Sequence, residues 1–161
     1  MPLIILLLSA LFIAIDQILK LLVVEYLKPD GIKTVINGLL SFQYVENRGA
    51  AFSILQNQRW IFVGITVVIC ALIIYALFRY PHHEFFSYAA SALIVGGGMG
   101  NLIDRVLHGY VVDYIHVSFF AAIFNFADCC VTVGTIFLMI HVLFFMEDRH
   151  GAEKVLRSRS K

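Results

Sequence analysis

The chain has 161 residues, a formal charge of +1, 60% hydrophobic residues and a mean hydropathy of +0.86. That apolar share is far above an ordinary soluble domain, and the length fits a single membrane-type domain spanning residues 1–161. The near-neutral charge and the lack of a basic stripe exclude nucleic acid as a partner.

A bilayer core about 30 Å thick takes about 20 apolar residues per helix. Four stretches qualify: residues 2–24, 60–78, 86–103 and 127–146. The first has no basic region ahead of it. Asp16 and Lys20 interrupt it where a cleavage site would follow, so it reads as a retained helix. These two residues are spaced i,i+4 with the acid first, the favourable order for a helical ion pair.

Residues 25–59 form the one long loop. Within it, 33–36 and 39–45 are β-branched or aromatic runs separated by Asn37-Gly38, a hairpin signal that predicts a small sheet on the membrane surface. The loop ends on Asn47-Arg48 and the residues after them. A tight turn holding Pro81 leads to the third span. There Ala92, Gly96 and Gly100 give a small-residue face for close helix packing. The run Gly96-Gly97-Gly98 lies inside an apolar span, so it is not a dinucleotide loop.

Asn101-Leu102-Ile103-Asp104 closes the third span and Asn125-Phe126-Ala127-Asp128 opens the fourth. Each sets an amide and a carboxyl three residues apart, on one face of a continuing helix. Asp104 stands beside Arg105, a possible helix-end pair, and Asn125 and Asp128 suit a helix start. Asp113 lies between Val112 and Tyr114, with Arg105 the nearest basic residue along the chain. Cys70, Cys129 and Cys130 have neither redox nor metal spacing and read as small packing residues. The six histidines are scattered without paired-ligand spacing, so neither metal nor cofactor is expected. The tail from Glu147 is charged and reads as a fraying short helix.

With four spans, both termini share a side with the loop around Arg79. Five basic residues crowd the last 13 positions, whereas the other side spreads its own over a long loop, so the termini are expected in the cytoplasm. Whichever side is outside, the C-terminal ends of spans one and three meet the N-terminal ends of spans two and four. Asp16, Lys20, Asn47, Arg48, Asn101, Asp104, Arg105, Asp113, Asn125 and Asp128 therefore approach one shallow, membrane-embedded pocket.

An ionised carboxylate at membrane depth costs roughly 2.5–3.5 kcal/mol on the insertion scale, which points to use. Two acids sharing a proton can activate water against a peptide bond. The alternative is a small proton- or ion-coupled transporter using the acids as a relay, which predicts acids through the whole membrane depth. Among Asp104, Asp113 and Asp128, spacing alone does not choose the pair.

Several motifs, in order, resemble the lipoprotein signal peptidase (signal peptidase II) family of bacterial membrane aspartyl peptidases. They are Asp16-Gln17 with Lys20, residues 46–52 (Glu-Asn-Arg-Gly-Ala-Ala-Phe), residues 97–105, Val111-Val112-Asp113 and residues 124–128. The resemblance implies an all-α membrane fold of four transmembrane helices with an extracytoplasmic β-cradle in the first loop. It implies a multi-pass protein of the bacterial cytoplasmic (inner) membrane with its site near the extracytoplasmic face; a monomer working among membrane lipid is expected. The implied reaction is cleavage of diacylglyceryl-modified prolipoproteins just before the lipidated cysteine. Asp113 and Asp128 correspond to the catalytic pair. Asn47, Arg48, Asn101, Asp104, Arg105 and Asn125 correspond to its polar surroundings, and Asp16 and Lys20 to the first-helix motif. The connector 114–124 is shorter than the family pattern and has no proline before Phe124.

Overall fold

The computed structural model describes residues 1–49, 58–80 and 84–146. The motif residues Ala50, Ala51 and Phe52, the turn residue Pro81 and the tail from Glu147 lie outside these.

Among the described residues, four helices are long and apolar enough to cross a membrane. The first, α1 (Pro2–Leu22), continues through a π-helical turn, Val23–Leu27, and a last turn, α2 (Lys28–Asp30). The others are α3 (Arg59–Arg79), α4 (Phe85–Leu107) and α5 (Phe126–His141), the last extended by a π-helical turn, Val142–Met146. Leu3, Leu7, Leu11, Ile65, Val68 and Leu72 are all exposed, as helices facing hydrocarbon require.

α4 is the least apolar of the four and the most buried, and α1, α3 and α5 all pack on it. Its glycines explain how three helices reach one. A Cβ on Gly96 would lie 2.7 Å from Phe12 Cβ of α1, and one on Gly98 would lie 3.3 Å from Cys70 Sγ of α3. One on Gly97 would run into the Ala127 carbonyl of α5. Three consecutive residues thus admit three different neighbours, and Gly100 seats Asp16 of α1.

The hairpin around Asn37-Gly38 is present as β1 (Ile32–Ile36) and β2 (Leu40–Asn47), with Gly38 at φ 72°. Its sheet is larger than the first loop alone supplies. β3 (Val111–Val117) and β4 (Ile123–Phe124), both between α4 and α5, complete an antiparallel order β1-β2-β3-β4. The short connector 114–124 is therefore a hairpin rather than an open loop. Leu27 of the first helix packs against Val112 and Tyr114, which anchors one sheet face to the end of the first span.

Candidate active site

Asp113 is placed by a helix stop and a strand ladder. α4 ends with Gly109 at φ 84°, whose N–H donates to the Arg105 carbonyl at 3.2 Å, an αL cap that turns the chain into β3. β3 then pairs with β2, setting Asp113 opposite Val45 and Val111 opposite Asn47. The diagonal neighbour Asn47 donates from Nδ2 to Asp113 Oδ2 at 2.7 Å. Asn47 Oδ1 accepts the Gly49 N–H at 3.0 Å.

Asp128 is placed by a capping box. Asn125 Oδ1 accepts the Asp128 N–H at 2.9 Å, while Asp128 Oδ2 accepts the Asn125 N–H at 3.1 Å. Asn125, fully buried, also donates from Nδ2 to Asp113 Oδ1 at 2.6 Å. Asn101 donates to Asp128 Oδ1 at 2.8 Å, and its own Oδ1 accepts from Asn125 at 3.1 Å. The two Asn-x-x-Asp elements are therefore linked: Asn101 of the first binds Asp128 of the second, and Asn125 of the second binds Asn101.

Behind them lies a buried charge cluster. Lys20 Nζ stands 2.8 Å from Asp16 Oδ2 and 3.0 Å from Asp104 Oδ2, with all three side chains nearly inaccessible. Lys20 also donates to Asn101 Oδ1 at 2.9 Å. Asp16 Oδ1 accepts the Ala127 N–H, and Asp104 Oδ2 accepts the Val112 N–H, each at 3.1 Å. The i,i+4 pair expected of Asp16 and Lys20 is present. The expected Asp104–Arg105 pair is corrected: the cation at Asp104 is Lys20, 84 positions upstream. The helix turns Arg105 away to lie 5.0 Å over the Phe62 ring, with Nη1 donating to the Asn101 carbonyl at 3.4 Å.

Gln17 adjoins Asp16 in the first motif, and sequence spacing offers it no partner. Its Nε2 lies 3.0 Å from Asp104 Oδ1 and 3.2 Å from the Gly100 carbonyl, tying α1 to α4 beside Lys20. Arg48 is a rim residue: it binds Glu46 at 3.2 Å and lies 5.7 Å from the Tyr110 ring centre. Cys70 and Cys130 are buried packing residues, but Cys129 is exposed. Among the described residues no three His, Cys, Asp or Glu side chains form a metal-binding group.

Asp113, Asp128, Asn101, Arg105, Asn47 and Arg48 share a cleft of about 910 Å³. It runs from the sheet down between α3 and α5, past Thr66 and Thr132, with Gly98 of α4 on its wall. Burial raises Asp113, and the nearby charge of Asp128 raises it further, to about 7 despite the amides of Asn47 and Asn125. Two acids in a cleft that combines polar and apolar walls can hold a water against an extended chain.

The model of the family described as signal peptidase (SPase) II matches residues 8–144. A lipoprotein signal peptidase of Caldanaerobacter subterraneus subsp. tengcongensis is 45% identical over 135 residues, 84% of this chain and 92% of that one. One of Streptococcus pyogenes serotype M6 is 45% identical over 131 residues, covering 81% and 86%. Among solved structures, a bacterial membrane enzyme determined by the in meso method at 2.3 Å resolution superposes with a TM-score of 0.79 at 32% identity, covering 86% of this chain and 87% of that one. A second, at 1.9 Å resolution, gives a TM-score of 0.78 at 31% identity, covering 88% and 94%.

Proposed function

The chain belongs to the signal peptidase II family, the lipoprotein signal peptidases, and from that premise we propose an aspartic mechanism carried by Asp113 and Asp128. It is a multi-pass bacterial membrane peptidase that removes signal peptides from prolipoproteins. The finer substrate is a precursor whose cysteine already carries diacylglycerol, cut just before that cysteine. The protein acts as a monomer in the cytoplasmic membrane, termini inside and cleft outside. The observation that carries the reading is the mutual wiring of the two acids: Asn125 binds Asp113 through its side chain while capping with Asp128.

Two buried carboxyls facing one cleft, each feeling the other's charge, resist joint ionisation, so one holds a proton. The ionised acid takes a proton from water as the water oxygen adds to the scissile carbonyl carbon. The protonated acid gives its proton to the carbonyl oxygen, forming a tetrahedral diol. The first acid then protonates the amide nitrogen, the second recovers a proton from the diol, and the C–N bond breaks. Both acids return to their starting states. Arg105 and Asn47 at the cleft wall position the substrate backbone, while acyl chains stay in lipid beside the opening between α3 and α5.

The transporter alternative falls with the family assignment. The membrane acids Asp16, Asp104 and Asp128 all gather at the sheet end of the bundle instead of spanning its depth.

Purified protein should convert a diacylglyceryl-modified prolipoprotein to the shorter form on a gel and leave the unlipidated precursor intact. Conversion should persist under chelation and after replacing Cys70, Cys129 and Cys130 by Ala. Loss on chelation with recovery on adding a divalent ion would replace the aspartic mechanism by a metal-dependent one.

A further inference from the structure

The two acids each accept two N–H donors, but they differ in what stands behind those donors. A lysine ammonium donates and never accepts. Lys20, 4% exposed, directs its donors at Asp16, Asp104 and Asn101 Oδ1. The Asn101 amide is thereby locked with oxygen towards Lys20. A flipped amide would set its NH₂ against the ammonium. Asn125 locks it from a second direction. The Asn125 oxygen is taken by the backbone N–H of Asp128, so its Nδ2 must face Asn101 Oδ1 and Asp113. With its oxygen claimed twice, Asn101 has only donors left for Asp128 Oδ1, at 2.8 Å.

Asp128 Oδ2 meanwhile accepts a backbone N–H, and Asp128 is the third residue of α5, where the unpaired first-turn amides and the helix dipole favour negative charge. Asp113 also accepts two donors, from Asn47 and Asn125, but it stands mid-strand without a helix end and neither amide is anchored on a cation; their oxygens are held by the backbone N–H groups of Gly49 and Asp128. We propose that Lys20, acting through the Asn101 amide, is a positioning residue that makes Asp128 the proton-accepting member of the pair and leaves Asp113 as the proton-bearing one. The inference rests on the two-aspartate reading of the site and adds a direction to it. Water gives its proton to Asp128, and the carbonyl oxygen takes the proton of Asp113.

The titratable and charged groups around Asp128 are Asp113 and Tyr114 on β3, Arg105 on α4, Lys20 on α1 and Cys129 on its own helix. Glu46 and Arg48 stand further along the cleft wall.

The test has a direct arm and a kinetic arm. In full-length protein carrying aspartate labelled with 13C at the carboxyl carbon, resonances are assigned with the Asp113→Asn and Asp128→Asn variants. Asp113 should titrate near neutrality while Asp128 stays ionised through that step. The reverse order, or equal sharing of one transition, overturns the assignment. In the kinetic arm, Asn101→Leu should lower kcat by about 10- to 100-fold, the worth of a charge-assisted hydrogen bond. KM for the lipidated precursor should stay within about twofold. The acidic limb of kcat/KM should rise by about one pH unit, because the base has lost a donor. Loss of activity with an unmoved acidic limb would reduce Asn101 and Lys20 to structural roles. Lys20→Met should shift the limb the same way. Should it fail to fold, Asn101→Leu and the wild-type titration still decide. Cleavage by either folded aspartate variant would instead bring down the two-aspartate reading itself, an outcome separate from a reversed titration order.

Discussion

Asp104 accepts the backbone N–H of Val112, the residue immediately before Asp113, at 3.1 Å. Asp16 does the same for Ala127, the residue immediately before Asp128. Each supporting acid thus fixes the peptide leading into one acid of the proposed pair, and one lysine bridges both supports. The arrangement joins α1, α4, β3 and α5 through a single ammonium.

Removing either supporting charge should therefore show first as lost stability. Asp16→Asn and Asp104→Asn each replace a charged contact to Lys20 and weaken the acceptor of a buried backbone N–H, a destabilisation of roughly 2 kcal/mol. Thermal unfolding in detergent should reveal it as a lower Tm, with partial cleavage activity per folded molecule. A fully folded, inactive Asp104→Asn protein would move that carboxylate into the reaction.

The proposed pair should respond in the opposite manner. Asp113→Asn and Asp128→Asn retain side-chain shape but cannot exchange a proton. Each should fold and bind a noncleavable precursor, with cleavage reduced by about 10²-fold or more. The double variant should be scarcely worse than either single one, because groups acting as a unit do not lose activity additively. Substantial turnover by either folded single variant refutes the pair.

Asp113 also predicts a pH signature. Its raised affinity for the proton means that the folded chain binds more protons than the unfolded one between the ordinary carboxylate range and about 7. Stability must then fall as pH rises through that window, with the loss complete above about 7. The Tm of Asp113→Asn should lack this component of the slope. Activity should decline over the upper part of the same window as the acid loses its proton. A Tm profile that Asp113→Asn leaves unchanged would contradict the shift.

Topology is testable by labelling single cysteines in a cysteine-free background. A label site at Gly31 should react from outside intact cells, and one at Tyr80 only after permeabilisation. Reaction of both from the same side would remove the basis for placing the sheet outside.

The four spans were legible because hydrocarbon demands about 20 apolar residues, and the β1–β2 turn because Asn37-Gly38 suits a positive φ. β3 was not legible. Val111, Val112, Asp113 and Tyr114 are all buried, so the strand shows no alternation of apolar and polar faces, and its partner β2 lies more than 60 residues upstream. The same distance hid the counter-ion of Asp104: adjacency suggested Arg105, but the α1–α4 packing permitted by Gly96 and Gly100 brings Lys20 instead. Convergence of the polar residues was readable from span topology alone. Which amide served which carboxyl depended on strand register and a helix cap.

The pairing of β3 with β2 also has a bearing on biosynthesis. Asp113 is oriented by Asn47 from the first loop, whereas Asp128 arrives only with the last membrane helix and is completed by Asn101 of the one before it. A nascent chain still lacking α5 holds one acid, no Asn125 bridge and no amide lock. If the proposed pair carries the reaction, proteolytic competence arises only when the final helix docks.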